Sequence, residues 1–299
     1  MIEEIPIKFV KNLKFNKTIY PQCNCGNCSR FFWNSLFVGA RASGKTYSCV
    51  QLIKHYEDNT IINKDGDKTP LRTFLISPTI EQNEIFNCLN SLDDGDKHNN
   101  YTDDVLLDII DDIKQSKEET ELYTDYVKVY QKFAKMKSEK ELDKLDDDEL
   151  MLLVRNDFKH YDEIPQPKFK VSPVNIVILD DLIGSDCFNK KSKSVFSNAL
   201  IKSRHLNIAF CILVQNLKST PKVVRLNCSV FVLLKFANLK TIIEDFYPEI
   251  SSLLTEDEFE ELYLYATQEQ YGGLIIDFTK PKEKAFSKGW ETQLKLIKN

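Results

Sequence analysis

The chain has 299 residues, 42% of them hydrophobic and 28% charged, with 40 Lys and Arg against 45 Asp and Glu and a net charge of −5. These are ordinary globular values, enough for one large or two modest domains with a sizeable core. No apolar run reaches the roughly 18 residues of a membrane span, and the opening MIEEIPIKFVKNLKF has no uninterrupted apolar core, so neither a transmembrane helix nor a secretory signal is expected. The charge is uneven. Between Leu92 and Leu150 there are 19 acidic residues against 9 lysines, which leaves 31 basic against 26 acidic residues elsewhere. The acidity belongs to one segment, and the mildly basic remainder permits a DNA partner without demanding one. Most of the eight cysteines stand singly in apolar segments, and reduced thiols of an intracellular protein are expected.

Residues 1–31 carry short strand-like pieces, Ile5–Val10 and Thr18–Tyr20, and then PQCNCGNCSR. Cys23, Cys25 and Cys28 have metal-ligand spacing on a turn-rich loop. A structural zinc site wants four ligands. No fourth lies nearby in sequence, and His55 or His98 would have to arrive through the fold, so free thiols on a loop are the plainer alternative.

Phe32–Val38 reads as a buried strand. It leads into Gly39-Ala40-Arg41-Ala42-Ser43-Gly44-Lys45-Thr46, a full match to G-x-x-x-x-G-K-[ST], the Walker A pattern, in the strand-then-helix setting that it requires. Gly39 and Gly44 let the backbone curl until its N–H groups face one concavity, an anion nest at a helix start. Lys45 is expected to reach the β- and γ-phosphates of ATP as a point charge, and Thr46 to offer its hydroxyl to Mg²⁺. The following helix runs to His55 or Glu57. A polar turn with Asp65-Gly66 and Pro70 comes next, then a strand, Arg72–Ser77, and a short helix, Glu81–Leu89.

The acidic stretch 92–155 has helical spacing over Asp104–Lys114, Glu118–Lys137 and Ser138–Val154, and reads as a helical insertion between core strands. It could be a solvated lid or spacer, or a contact for a neighbouring subunit. After 163–173 the chain returns to the core with Val174–Asp181, in which four apolar residues, Ile176–Leu179, end in two acids, the pattern of a buried parallel strand. Ligands bind at the carboxyl ends of strands in open α/β sheets. With a P-loop upstream, this run is a Walker B strand: Asp180 is the expected Mg²⁺ ligand and Asp181 the expected base for the attacking water. Asp rather than Glu at 181 has a shorter reach. A helix over Ser192–Ser203 leads to Ser203-Arg204-His205-Leu206-Asn207 and the strand Ile208–Val214, which ends in Gln215. A carboxamide at that strand tip is placed to sense a γ-phosphate, as the water-orienting Gln of other P-loop enzymes does. A short turn at Pro221–Arg225, a strand at Ser229–Leu234, helices at Leu239–Phe246 and Thr255–Thr267 separated by Pro248, and a strand at Gly273–Phe278 complete the core. The tail 279–299 is polar apart from Trp290, and the chain has no internal repeat.

The expected organisation is therefore an N-terminal piece, 1–31, a core, 32–278, interrupted by 92–155, and a tail, 279–299. An extra strand between the P-loop strand and the Walker B strand, with a polar sensor strand, points to an α/β P-loop NTPase of the RecA-like (ASCE) branch. Its central sheet is mostly parallel, flanked by helices. Such enzymes usually work as rings in which a neighbour supplies an arginine to the transition state. Arg204 and Arg225 are the candidates, and either could instead form an ion pair at the core edge.

Four pieces together, Gly39–Thr46, LISPT at 75–79, VILDDL at 177–182 and SRHLNI from Ser203 leading to Gln215, resemble the genome-packaging ATPases of large DNA viruses and virophages, within the FtsK–HerA group of DNA translocases. The resemblance covers about residues 32–90 and 170–250. It implies a homo-oligomeric ring, pentamer or hexamer, that hydrolyses ATP with Mg²⁺ and drives double-stranded DNA into a preformed capsid at its portal vertex, without a membrane partner. It also implies a location in the host cytoplasm or virus factory, or with the virion. In that reading residues 39–46 hold the phosphates, Lys45, Asp181, Gln215 and Arg204 serve the chemistry, and Thr46 and Asp180 serve the metal. Lys190, Lys191 and Lys193 could face a phosphate backbone or simply be a solvated loop. A small-molecule kinase is the competing enzyme class, weakened because 92–155 holds no Arg before Arg155. A nucleotide-gated scaffold is the competing binding module, weakened by the Asp180-Asp181 pair and Gln215.

Overall fold

The computed structural model describes residues 2–7, 20–25, 28–136, 142, 144–182, 186–188, 194–236 and 238–296. Lys190, Lys191 and Lys193 lie outside them, as do parts of both strand pieces expected before residue 21. The first half of the chain carries β1 (Ile2–Pro6), β2 (Gln22–Cys23), β3 (Asn34–Val38), α1 (Lys45–Glu57), β4 (Ile61–Ile62), β5 (Leu71–Ile76), β6 (Lys97–His98), α2 (Asp103–Phe133) and α3 (Asp147–Arg155). The second half carries β7 (Val174–Asp180), α4 (Val195–Ile201), α5 (Ser203–Leu206), β8 (Ile208–Val214), α6 (Lys222–Asn227), β9 (Val230–Leu234), α7 (Leu239–Ile250), α8 (Glu256–Ala266), β10 (Gly273–Asp277), β11 (Phe286–Lys288) and β12 (Thr292–Leu296).

The main sheet runs β1-β12-β11-β10-β9-β3-β8-β7-β5-β6. From β9 to β6 every pairing is parallel, and from β9 outward to β1 every pairing is antiparallel. β8 lies between the P-loop strand β3 and the acid-tipped β7, and the order β9-β3-β8-β7-β5 is the RecA-like arrangement expected from the sequence. β3, β7, β8 and β9 are buried along their whole length, as strands covered on both faces are; β8 and β9 are apolar throughout, whereas β3 opens on Asn34 and Ser35 and β7 carries Asn175. Alternate residues divide the core. Phe37, Ile178, Cys211 and Val232 pack with Cys49 and Ile53 of α1 on one face. On the other, Phe210 meets Phe196 of α4 at 5.7 Å and Phe231 meets Phe246 of α7 at 5.0 Å.

Two compact units divide the chain, 1–109 with 174–299, and 110–173. The second unit thus begins later and ends later than the acidic stretch 92–155. Residues 92–109 belong to the first unit for a physical reason. Arg72 donates to both carboxylate oxygens of Asp96 at 2.9 and 2.7 Å, with both side chains buried, and β6 adds to the edge of β5. Residues 156–173 belong to the second unit, where Tyr161 and Ile164 pack on the small core of Tyr126, Val129 and Leu153, and Thr120 Oγ1 donates to Phe169 O at 2.8 Å. The expected break between helices at residues 115–117 is absent. Gln115, Ser116 and Lys117 contain no Gly or Pro, and α2 runs through them.

The polar tail takes part in the sheet: β11 and β12 extend it, β1 pairs with β12, and Trp290 donates to Ser48 O at 2.9 Å. Two further expectations are corrected. Glu81–Leu89 forms two short 3₁₀ segments instead of an α-helix. α7 continues through Pro248 because Phe246 and Ile250, both buried, hold its last turn in place.

Candidate functional site

The site is built at the carboxyl ends of β3, β7 and β8. Asn34 opens β3, and its buried amide donates to Leu200 O, Ser203 Oγ and Asn227 O at 3.0–3.3 Å, tying the P-loop strand to the ends of α4, α5 and α6. At the far end of β3, Gly39 N donates to Val214 O of β8 at 3.2 Å. A side chain at Gly39 would collide with Ser43 Oγ and come within 2.9 Å of Leu234 Cβ, so the position needs glycine. Gly44 turns with φ +94° into α1, and Ala42 has φ +60°. Left-handed Ala is unfavourable by about 1 kcal/mol. Such outliers persist where the surroundings hold them in place. Ser43 Oγ is buried with no partner among the described residues, and Arg41 is exposed.

Lys45 Nζ donates to Gly39 O and Ala40 O, both at 2.9 Å. Burial lowers its pKa, against the pull of Asp180 and Asp181. Asp180 ends β7 and is 5% exposed. Burial, with the neighbouring charge of Asp181, pushes its carboxyl up to about 6 despite Lys45. Asp181 follows with φ +52°, exposed, and its Oδ1 accepts from Gln215 Nε2 at 3.0 Å. The carboxylate and carboxamide expected to handle water are thus already joined. Thr46 is half-buried in the first turn of α1. A buried, charge-strained carboxylate beside a cation, together with a hydroxyl, is a hard-oxygen donor set that suits magnesium.

Arg204 lies on α5, exposed, with no partner for it among the described residues. Arg225 is committed elsewhere: its Nη1 donates to Glu249 Oε1 at 2.8 Å, the ion-pair role that the sequence left open. The sulfurs of Cys23, Cys25 and Cys28 gather within 4.8 Å of one another, and no His, Asp or Glu joins them among the described residues. Cys25 and Cys28 bring their sulfurs into contact, with Cα atoms 6.2 Å apart. One residue beside the loop was missed in the sequence. Tyr271, in the turn before β10, lies against Gly44, and its only sequence signal is the Gly272-Gly273 pair that follows it.

No family model and no curated protein matches the chain. Among solved structures it is similar to the genome packaging NTPase B204 from Sulfolobus turreted icosahedral virus 2 in complex with AMPPCP, at 10% identity and a TM-score of 0.42, over 88% of this chain and 97% of that one. It is also similar to EssC (ATPases 2 and 3) from Geobacillus thermodenitrificans, at 14% identity and a TM-score of 0.43, over 98% and 47% of the two chains. A third similarity is to the pCW3 conjugation coupling protein TcpA with ATPγS, at 13% identity and a TM-score of 0.39, over 97% and 69%. The RecA-like assignment rests on the strand order and not on these similarities.

Proposed function

We propose that the chain is an ATP-hydrolysing motor of the FtsK–HerA type that works as a pentameric or hexameric ring and drives double-stranded DNA into a preformed capsid. The observation that carries the hydrolytic part is the Gln215–Asp181 hydrogen bond, set beside Lys45 and Asp180 at one end of a parallel sheet. Backbone N–H groups of 39–46 cradle the phosphates, and Lys45 exchanges the carbonyls of Gly39 and Ala40 for phosphate oxygens. Asp181 takes a proton from the attacking water, and Gln215 holds that water in line. Thr46 and Asp180 would hold Mg²⁺, which when bound neutralises charge between the β- and γ-phosphates. Exposed Arg204 is the group that a neighbouring subunit offers to the transition state.

The DNA and capsid part is supported by the succession of motifs along the chain, Gly39–Thr46, LISPT, VILDDL and SRHLNI ending at Gln215. A place in the host cytoplasm or virus factory follows from the same reading. The test is ATP-driven displacement of a triplex-forming oligonucleotide from double-stranded DNA, with Lys45→Ala as the control. Displacement by the wild type and none by the variant is the expected result. ATP turnover without displacement would overturn the translocation part.

A further inference from the structure

Tyr271 has φ +65°, a conformation that a bulky residue rarely adopts. The residue is 56% exposed, so core packing does not explain the strain. The turn is held from both sides. Gly272 N donates to Glu269 O at 3.1 Å, and a Cβ on Gly272 would lie 2.6 Å from Ala266 O. The result of holding it is contact with the phosphate loop: a Cβ on Gly44 would stand 3.2 Å from both Cβ and Cδ1 of Tyr271. The same two residues line an open cavity of about 630 Å³, with Tyr47, Gln51 and Gln270 also on its walls. That volume is of the order of small-ligand sites. A nucleotide whose phosphates occupy the Gly39–Thr46 loop must lead its ribose and base out past that loop, and this cavity adjoins it at Gly44. An aromatic held in a strained conformation, largely exposed and beside such a cavity, has a position that serves a ligand better than it serves the fold.

We propose that Tyr271 is the stacking platform for the base of a bound purine nucleotide, which sits in this cavity with its phosphates in the Gly39–Thr46 loop. The proposal rests on the nucleotide-binding reading of that loop. Stacking needs only a π-face, which every base has and which a purine presents most broadly. The carboxamides of Gln51 and Gln270 offer a donor and an acceptor to the adenine edge.

The test compares calorimetric binding of Mg·ADP and of Mg·tripolyphosphate, which has no base, to wild type, Tyr271→Gly and Tyr271→Phe. Glycine suits a positive φ, so Tyr271→Gly removes the ring without straining the turn, and melting temperatures without ligand check that both variants fold. Tyr271→Gly should bind ADP about tenfold more weakly, within the range that base–aromatic stacking contributes, and should bind tripolyphosphate within twofold of wild type. Tyr271→Phe should bind ADP like wild type. Unchanged ADP binding by Tyr271→Gly, or equal losses for both ligands, would overturn the platform while leaving the nucleotide reading intact. Failure of wild type to bind either ligand would overturn the nucleotide reading and the platform with it.

Discussion

Lys45 rests on the carbonyls of Gly39 and Ala40 while Asp180 is buried at the tip of β7 in the same sheet, so both charges of the proposed site are partly stripped of solvent. For Asp180 this has a measurable consequence. Its pKa of about 6 lies above the ordinary 3.8, so the folded chain binds its proton more tightly than the unfolded chain does. Stability is therefore lost as pH rises from about 4 to 6, and the loss persists above that window. Asp180→Asn should stabilise the nucleotide-free, EDTA-treated protein at pH 8 by about 1–3 kcal/mol, since one pKa unit is about 1.4 kcal/mol. The gain should shrink towards pH 4. Urea melts at the two pH values read it, and a variant no more stable at pH 8 than wild type would contradict the burial argument. Asp181 carries a different expectation. It is exposed and joined to Gln215, so Asp181→Asn should leave ADP binding within a few fold while single-turnover hydrolysis falls about 10²- to 10⁴-fold. Full turnover by that variant would remove Asp181 from the role of base.

At the scale of elements, the buried parallel strands were legible because burial on both faces demands nearly continuous apolar runs, as in Ile176–Leu179 and Ile208–Val214. The Gly39–Thr46 loop was legible because its spacing answers to local backbone chemistry. The edge strands were not. β12 holds three polar residues, Thr292, Gln293 and Lys295, around a buried Leu294 and a half-buried Leu296, a pattern that resembles a polar tail until its partner β1 is known. The boundary of the second unit was equally hidden, because the buried Arg72–Asp96 pair joins residues that no local pattern connects. Tyr271 was missed for the same reason: its meaning depends on Gly44, far away along the chain. The paired tail makes a prediction. Trp290 packs near Phe37 and hydrogen-bonds Ser48 O in α1, so Trp290→Ala should cost about 2 kcal/mol, below the usual range for a fully buried Trp because the ring is half-buried. Urea unfolding measures it, and a loss under about 0.5 kcal/mol would mean that β11 and β12 lend the core little.

At the scale of the whole molecule, a single chain holds the Gly39–Thr46 loop, Asp180, Asp181 and Gln215 on one sheet, while Arg204 points from α5 to solvent with no partner among the described residues. A ring would complete that arrangement, and complementation tests it. Lys45→Ala subunits cannot use nucleotide but still offer Arg204, whereas Arg204→Ala subunits keep an intact phosphate loop. Each variant alone should be nearly inactive, and mixed rings should regain hydrolysis. A mixture as inactive as its parts would show that Arg204 does not act across subunits. The most direct test of the account is ATP hydrolysis by the purified chain with and without double-stranded DNA, with molecular mass measured in the same samples. The account predicts turnover stimulated by DNA in particles of five or six chains, the ring size that the proposed motor implies. Turnover indifferent to DNA, in a particle with the mass of one chain, would contradict it.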